Sequence, residues 1–133
     1  MNNLGTLCIC NFKIPKMTNK EFAQQLEKRT VRFAIDIINL SSSMPSTTES
    51  LVLRNQLTKS GTSVGANYRE ANRSRSTKDF KNKIKISLAE ASETDYWLEI
   101  IEELNWLELP KLKKLRVEAK ELLAIFTSVA NKL

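Results

Sequence analysis

The residue types that most often carry out catalysis in proteins are scarce in this chain. Its 133 residues include no histidine and two cysteines, Cys8 and Cys10. Without histidine, the chain alone cannot form a Ser/His/Asp or Cys/His triad, a two-histidine zinc site or a Glu-x-x-His di-iron site. The two cysteines have no second pair to complete a tetrahedral metal site, so we interpret them as free thiols in a reducing cytoplasm. The sequence therefore predicts a cytoplasmic protein that is not an enzyme, with no catalytic residue, metal site or cofactor.

Two remaining motifs could in principle support chemistry. Glu99 and Glu103 lie one helical turn apart, a spacing that suits acid–base catalysis or binding of a divalent ion. The sequence shows no second carboxylate-rich helix that could face this pair. We therefore favour a surface position for both residues. Gly61 and Gly65 resemble part of a phosphate-binding loop, but no Lys-Ser or Lys-Thr pair follows them and no strand precedes them. We predict instead that another helix packs closely at these glycines.

Basic and acidic residues are separated along the chain. The net charge is +6, from 21 Lys and Arg against 15 Asp and Glu. Residues 69–85 contain seven basic residues and two acidic ones, whereas residues 90–108 contain seven acidic residues and no basic one. On a single helix this order opposes the macrodipole, so helix stability does not explain it.

An external partner would explain the charge pattern. We predict either an anionic ligand, RNA or DNA, at the basic end, or an oppositely charged surface on a neighbouring subunit. A solvated basic surface is the alternative. Tyr68 and Phe80 are the aromatic residues nearest the cluster that could stack on bases. The predicted nucleic-acid-binding residues are Arg69, Arg73, Arg75, Lys78, Lys81 and Lys85.

Capping residues and prolines divide the chain into four helices, and no alternating strand pattern occurs. The predicted starts are Thr18 with Glu21 as a capping box, Ser46 with Glu49 as a second one, Ser76 as an N-cap, and Pro110. The first helix is expected to end near Leu40. Because the connections are short, the fold class is all-α, an up-down antiparallel four-helix bundle.

The bundle domain is expected to cover residues 17–133. Residues 1–16 precede the first capping box, and we expect a disordered leader or an over-extended start there. Their apolar part, residues 4–12, is too short to span a bilayer. The sequence therefore predicts no membrane partner.

Two sets of residues predict contacts between helices or between subunits. Trp97, Ile100 and Leu104 widen the apolar face of the third helix beyond what a bundle core needs, which predicts a subunit interface in a homo-oligomer. Ser60, Asn67 and Glu70 are expected to form a polar network at the bundle end or between subunits.

Residues 57–71, LTKSGTSVGANYREA, and the later segment 74–103 carry a family resemblance. The chain from Thr18 onward resembles bacterial four-helix-bundle proteins related to ribosomal RNA intervening-sequence products. The resemblance implies a non-enzymatic protein that forms rings, typically homopentamers, and associates with RNA. The alternative function is a scaffold or accessory factor that binds another protein and makes no direct contact with nucleic acid.

Overall fold

Four α-helices form the structure, a computed structural model that describes residues 18–133. They are α1 (Asn19–Ser42), α2 (Thr48–Asn72), α3 (Thr77–Leu104) and α4 (Leu109–Asn131). No strand occurs between residues 18 and 133, and the predicted all-α bundle is confirmed. None of these four helices contains an apolar stretch that could span a bilayer. The expectation for residues 1–16 and the interpretation of Cys8 and Cys10 lie outside the described residues.

Polar side chains cap the N-termini of α1, α2 and α3. Thr18 and Glu21 form the predicted capping box, since each side chain accepts a hydrogen bond from the backbone N–H of the other, at 3.0 and 2.9 Å. Ser76 caps α3 as predicted. The predicted start of α2 is wrong by one residue, because Thr47 and not Ser46 is the N-cap. A threonine hydroxyl caps about as well as a serine hydroxyl, so residue type alone does not decide between adjacent positions.

Helix α1 continues two residues beyond its predicted end at Leu40. The hydroxyls of Ser42 and Ser43 donate hydrogen bonds to the carbonyls of Asn39 and Leu40, three residues back. These bonds satisfy carbonyls that a helix end leaves without partners. The serines therefore extend and close the last turn.

Consecutive helices run antiparallel and pack side by side in the order α1, α2, α3, α4. Their apolar faces form one core, in which Phe33, Ile37, Leu57, Leu98 and Phe126 are fully buried. Helices α1 and α4 meet over a much shorter region than the other neighbours. The bundle therefore has one open side, between its first and last helices.

The two glycines of α2 lie at the contact with α1, and the predicted close packing is confirmed. A Cβ atom on Gly61 would lie 2.7 Å from Cγ2 of Ile37, and one on Gly65 would lie 2.7 Å from Oγ1 of Thr30. On its other side, α2 is joined to α3 by a hydrogen bond from Ser87 Oγ to the carbonyl of Val64. Small side chains thus hold α2 close to both neighbours.

Candidate nucleic-acid interface

The connector between α2 and α3 places the predicted basic residues at one end of the bundle. Arg69 lies in the last turn of α2, Arg73 is its C-cap and Arg75 lies in the connector. Backbone hydrogen bonds from Arg73 to Glu70 and from Ser74 to Ala71 make this connector a tight turn. The predicted residues of α3 lie within its first nine positions; they are Lys78, Lys81 and Lys85. The structure therefore places all six predicted binding residues at one end of the bundle.

Ion pairs divide the basic residues of this region into two groups. Arg69 Nε lies 3.1 Å from Oε1 of Glu27, and Lys83 Nζ lies 2.7 Å from Oε1 of Glu70. The other five basic residues form no ion pair with any residue between 18 and 133. We call these five the basic corner: Arg73, Arg75, Lys78, Lys81 and Lys85. Arg69 was also predicted to bind nucleic acid, but here it joins α2 to α1.

The three lysines of the basic corner lie along one side of α3. Lys78, Lys81 and Lys85 are spaced by three and four residues, so they share one side of α3 over about 10 Å. Lys81 is half-buried and the other four members are exposed. Asp79 is the one acidic residue between positions 73 and 85, and its charge opposes theirs. The arrangement can bind an anionic backbone without reading base sequence.

The two aromatic residues near the corner have different roles. Tyr68 is 2% exposed, and its ring meets the Phe126 ring edge-on at 5.4 Å between centroids. Burial raises the pKa of the Tyr68 hydroxyl, and the charge of Glu27 raises it further against an opposing hydrogen bond from Asn72. Tyr68 is therefore a core residue. Phe80 is partly buried and lines a surface cavity beside Arg75.

The three residues of the predicted polar network bond to different partners. Ser60 Oγ donates to the Leu57 carbonyl and accepts from Thr94 Oγ1 at 3.0 Å, which links α2 to α3. Asn67 donates within α2, and Glu70 pairs with Lys83. Within the described chain, no hydrogen bond joins Ser60, Asn67 and Glu70 to one another.

The acidic segment of α3 has a partner that the sequence pattern did not reveal. Arg116 of α4 lies 3.1 Å from Glu102, 3.5 Å from Asp95 and 3.7 Å from Glu99, and its side chain is 20% exposed. Burial would lower the pKa of Arg116, but the hydrogen bond to Glu102 and the charge of Asp95 outweigh it and raise the pKa. Part of the acidic charge is therefore neutralised within the chain.

Glu99 and Glu103, one turn apart on α3, have different surroundings. Glu99 contacts Arg116, and Glu103 is exposed. Across residues 18–133, no three His, Cys, Asp or Glu side chains are placed to hold a metal ion. Both carboxylates therefore lie at the surface, and one of them is paired with a cation.

Comparison with known proteins assigns the chain to a family. The family described as 23S rRNA-intervening sequence protein matches residues 16–128. The chain belongs to this family. A similar solved structure is a protein of unknown function from the S23 ribosomal protein family of Bacteroides thetaiotaomicron, with 32% identity and a TM-score of 0.73. The match covers 79% of this chain and 97% of that one. No protein of curated function matches significantly. The family resemblance predicted from residues 57–103 is confirmed.

This member of the intervening-sequence protein family has apolar surface on α3 where the sequence predicts an interface. Trp97 and Ile100 are half-buried, and Leu104 is 42% exposed. The Trp97 indole donates to Oε2 of Glu93, and the exposed Tyr96 ring lies edge-on to it at 5.1 Å between centroids. Spacings of three and four place Trp97, Ile100 and Leu104 on one side of α3.

The open side of the bundle forms a groove of about 790 Å³ between α1 and α4. Phe33, Leu40 and Leu115 form its floor, and Val117 lies on its wall. At one end Arg29 of α1 bonds to Glu118 and Glu121 of α4 at 2.6 to 2.7 Å. No sequence feature predicted this groove, because the periodicity of the helices does not show which pair of helices separates.

Proposed function

We propose that this protein is a non-enzymatic cytoplasmic protein that assembles into a ring and binds RNA or another polyanion through the basic corner. The observation that carries the proposal is the set of five cationic side chains at one end of the bundle, without ion pairs in the described chain. Arg69 and Arg116, by contrast, pair with carboxylates of other helices. The family description, which refers to a 23S rRNA intervening sequence, supports RNA as the polyanion.

Binding through phosphates is weak and non-specific for one chain, because each contact contributes mainly by releasing counterions from the nucleic acid. A ring would repeat the basic corner around its axis. Since the second and later contacts with one RNA are intramolecular, such repetition raises the overall affinity without any new type of contact.

The proposed ring interface uses the apolar side of α3 formed by Trp97, Ile100 and Leu104. Apolar residues at least partly exposed in one chain would be buried between subunits, which favours association. The subunit number, five, comes from the family resemblance. Exposed carboxylates such as Glu99 and Glu103 could in addition face a neighbour's basic residues.

The test measures how RNA affinity depends on salt. A triple variant, Arg73→Gln, Lys78→Gln and Lys85→Gln, removes three exposed charges of the basic corner. Fluorescence anisotropy with a labelled single-stranded RNA should show weaker binding, and a slope of log affinity against log salt that is smaller by about 2. Wild-type protein should bind more tightly as the salt concentration falls.

A matched control removes three lysines from the opposite end of the bundle. Lys111, Lys113 and Lys114 are exposed and lie in the first turns of α4, about 30 Å along the helix from its other end. Changing all three to Gln should leave the salt slope nearly unchanged. Absence of RNA binding by the wild-type oligomer at low salt, or equal losses in both triple variants, would contradict the proposal.

A second candidate function is a scaffold that binds a protein partner. The groove between α1 and α4 favours it, because an apolar floor with a charged rim is typical of a site for a helix of another protein. If the protein is a scaffold, a pull-down should retain a defined protein partner after nuclease treatment. The variant Val117→Glu, in the groove wall, should no longer retain that partner.

A further inference from the structure

A second feature of the basic corner is a cavity of about 390 Å³ where the α2–α3 connector meets α3. Its lining includes Arg75, Phe80, Asn72 and Ser74, with Leu133 from the end of the chain. We propose that this cavity binds one unpaired nucleotide of a single-stranded RNA, with the base against Phe80 and a phosphate at Arg75. This inference rests on the proposed function and specifies that the basic corner binds single-stranded RNA.

The size of the cavity suits one nucleotide. Sites for small ligands measure about 300–1,000 Å³, and this cavity lies near the lower limit. A base stacked in a duplex would not enter it, because there the phosphates and sugars face the protein and the bases face one another. Entry therefore requires an unpaired residue.

Phe80 supplies a fixed stacking surface. Its side chain packs against the core on one side and lines the cavity on the other, so its position is set before a ligand arrives. Nucleic-acid-binding proteins use such rings to stack unpaired bases of any sequence. Tyr68, the other nearby aromatic residue, is buried and cannot take this role.

Arg75 supplies the charge at the same cavity. It is exposed and forms no ion pair with residues 18–133. Arg73 precedes it by two residues and Lys78 follows it by three, so two further cationic residues belong to the segment 71–80 that lines most of the cavity. An RNA strand that places one base on Phe80 can thus keep its neighbouring phosphates near positive charge.

The experiment compares Phe80→Leu with wild-type full-length protein on two RNAs of equal charge, a single strand and a hairpin duplex. Loss of the aromatic ring should weaken single-strand binding about tenfold and leave duplex binding within twofold. Phe80→Tyr keeps the ring and should restore single-strand binding. A 2-aminopurine base in the single strand should lose fluorescence on binding wild-type protein and the Tyr variant.

The outcomes separate this inference from the proposed function. If wild-type protein binds both RNAs, and Phe80→Leu changes both affinities equally or neither, the cavity proposal is wrong and the basic corner remains. If wild-type protein binds neither RNA, both proposals are wrong. Should Phe80→Leu unfold the chain, the 2-aminopurine signal with wild-type protein decides, and unchanged fluorescence in the bound complex would overturn the nucleotide site.

Discussion

Nη1 of Arg116 in α4 lies 3.1 Å from Oε1 of Glu102 in α3, and this contact joins the last two helices. Asp95 and Glu99 approach the same guanidinium from the preceding turns of α3. The carboxylates near the C-terminus of α3 oppose its macrodipole, so their position costs stability in an isolated helix. Contact with Arg116 offsets that cost once α4 packs against α3.

Replacing Arg116 by Met should destabilise the protein by about 2 kcal/mol. Methionine keeps an apolar chain of similar length, but it leaves the half-buried carboxylates of Asp95 and Glu102 without a cation. Urea denaturation at neutral pH measures the loss. The exposed Lys113, without an ion pair in the described structure, is the matched position, and Lys113→Met should change stability by less than about 0.5 kcal/mol. Equal losses would show that Arg116 is not the partner of the acidic segment.

The contacts of Arg116 could not be predicted from local sequence patterns. Periodicity and capping predicted the number and order of the helices, because these signals are local. The acidic residues between 90 and 108 were expected to need an external partner, because the charge pattern was compared within the third helix alone. Pairing α4 antiparallel to α3 would have placed a basic residue opposite the acidic ones, because Arg116 directly follows the buried Leu115.

The basic corner shows the same division between local and non-local information. The sequence predicted where the positive charges lie along the chain, and all six predicted binding residues do meet at one end of the bundle. It could not show that Arg69 and Lys83 are paired, since Glu27, the partner of Arg69, is 42 residues away. The cavity beside Phe80 is likewise formed by residues far apart in the sequence, since Leu133 lines it together with residues between 71 and 80.

Gly65→Ala should destabilise the bundle, although alanine is the better helix former. Alanine favours a helix by about 1 kcal/mol over glycine. Its Cβ atom would, however, lie 2.8 Å from Cβ and 3.4 Å from the backbone carbon of Thr30, so α1 must shift. Overpacking of this kind costs about 1–3 kcal/mol, and we expect a net loss of about 1 kcal/mol.

The thermal unfolding midpoint measures this effect, and an exposed position of α2 provides the control. Asn55→Ala gains helix propensity without a contact to disturb, so it should raise the midpoint slightly. If Gly65→Ala raised the midpoint as well, α1 and α2 would not be packed as closely as the distance to Thr30 requires.

Glu90→Gln should stabilise the protein at pH 7 and have no effect on stability in acid. Burial raises the pKa of Glu90, and the charge of Glu93 raises it further, against the opposing charge of Lys59. Because the pKa is higher in the folded state than in the unfolded state, the ionised carboxylate opposes folding. The destabilisation by the ionised Glu90 is complete above the pKa of the folded state. It disappears as the pH falls below the pKa of the unfolded state, about 4.3.

Urea denaturation of both proteins at pH 7 and pH 3.5 tests this linkage. Glu49→Gln should change stability in the opposite direction at pH 7, because Glu49 lies in the first turn of α2, where the helix dipole favours a negative charge. If Glu90→Gln increased the free energy of unfolding at pH 3.5 as much as at pH 7, the ionisation of Glu90 would not be the cause.

Leu104→Lys should convert the proposed oligomer to monomers without unfolding the chain. Leu104 is 42% exposed and ends α3, where a lysine suits the helix dipole, so the isolated bundle should tolerate it. In the oligomer the charge would be buried against a neighbouring subunit, at a cost of several kcal/mol. Light scattering at micromolar concentration should give several times the 15.2 kDa of one chain for wild-type protein, and one chain mass for the variant.

Val117→Lys, 56% exposed beside the groove between α1 and α4, is the matched control and should keep the wild-type mass. Dissociation by Val117→Lys alone would place the interface on the open side of the bundle, and a monomeric wild-type protein would contradict the oligomer itself.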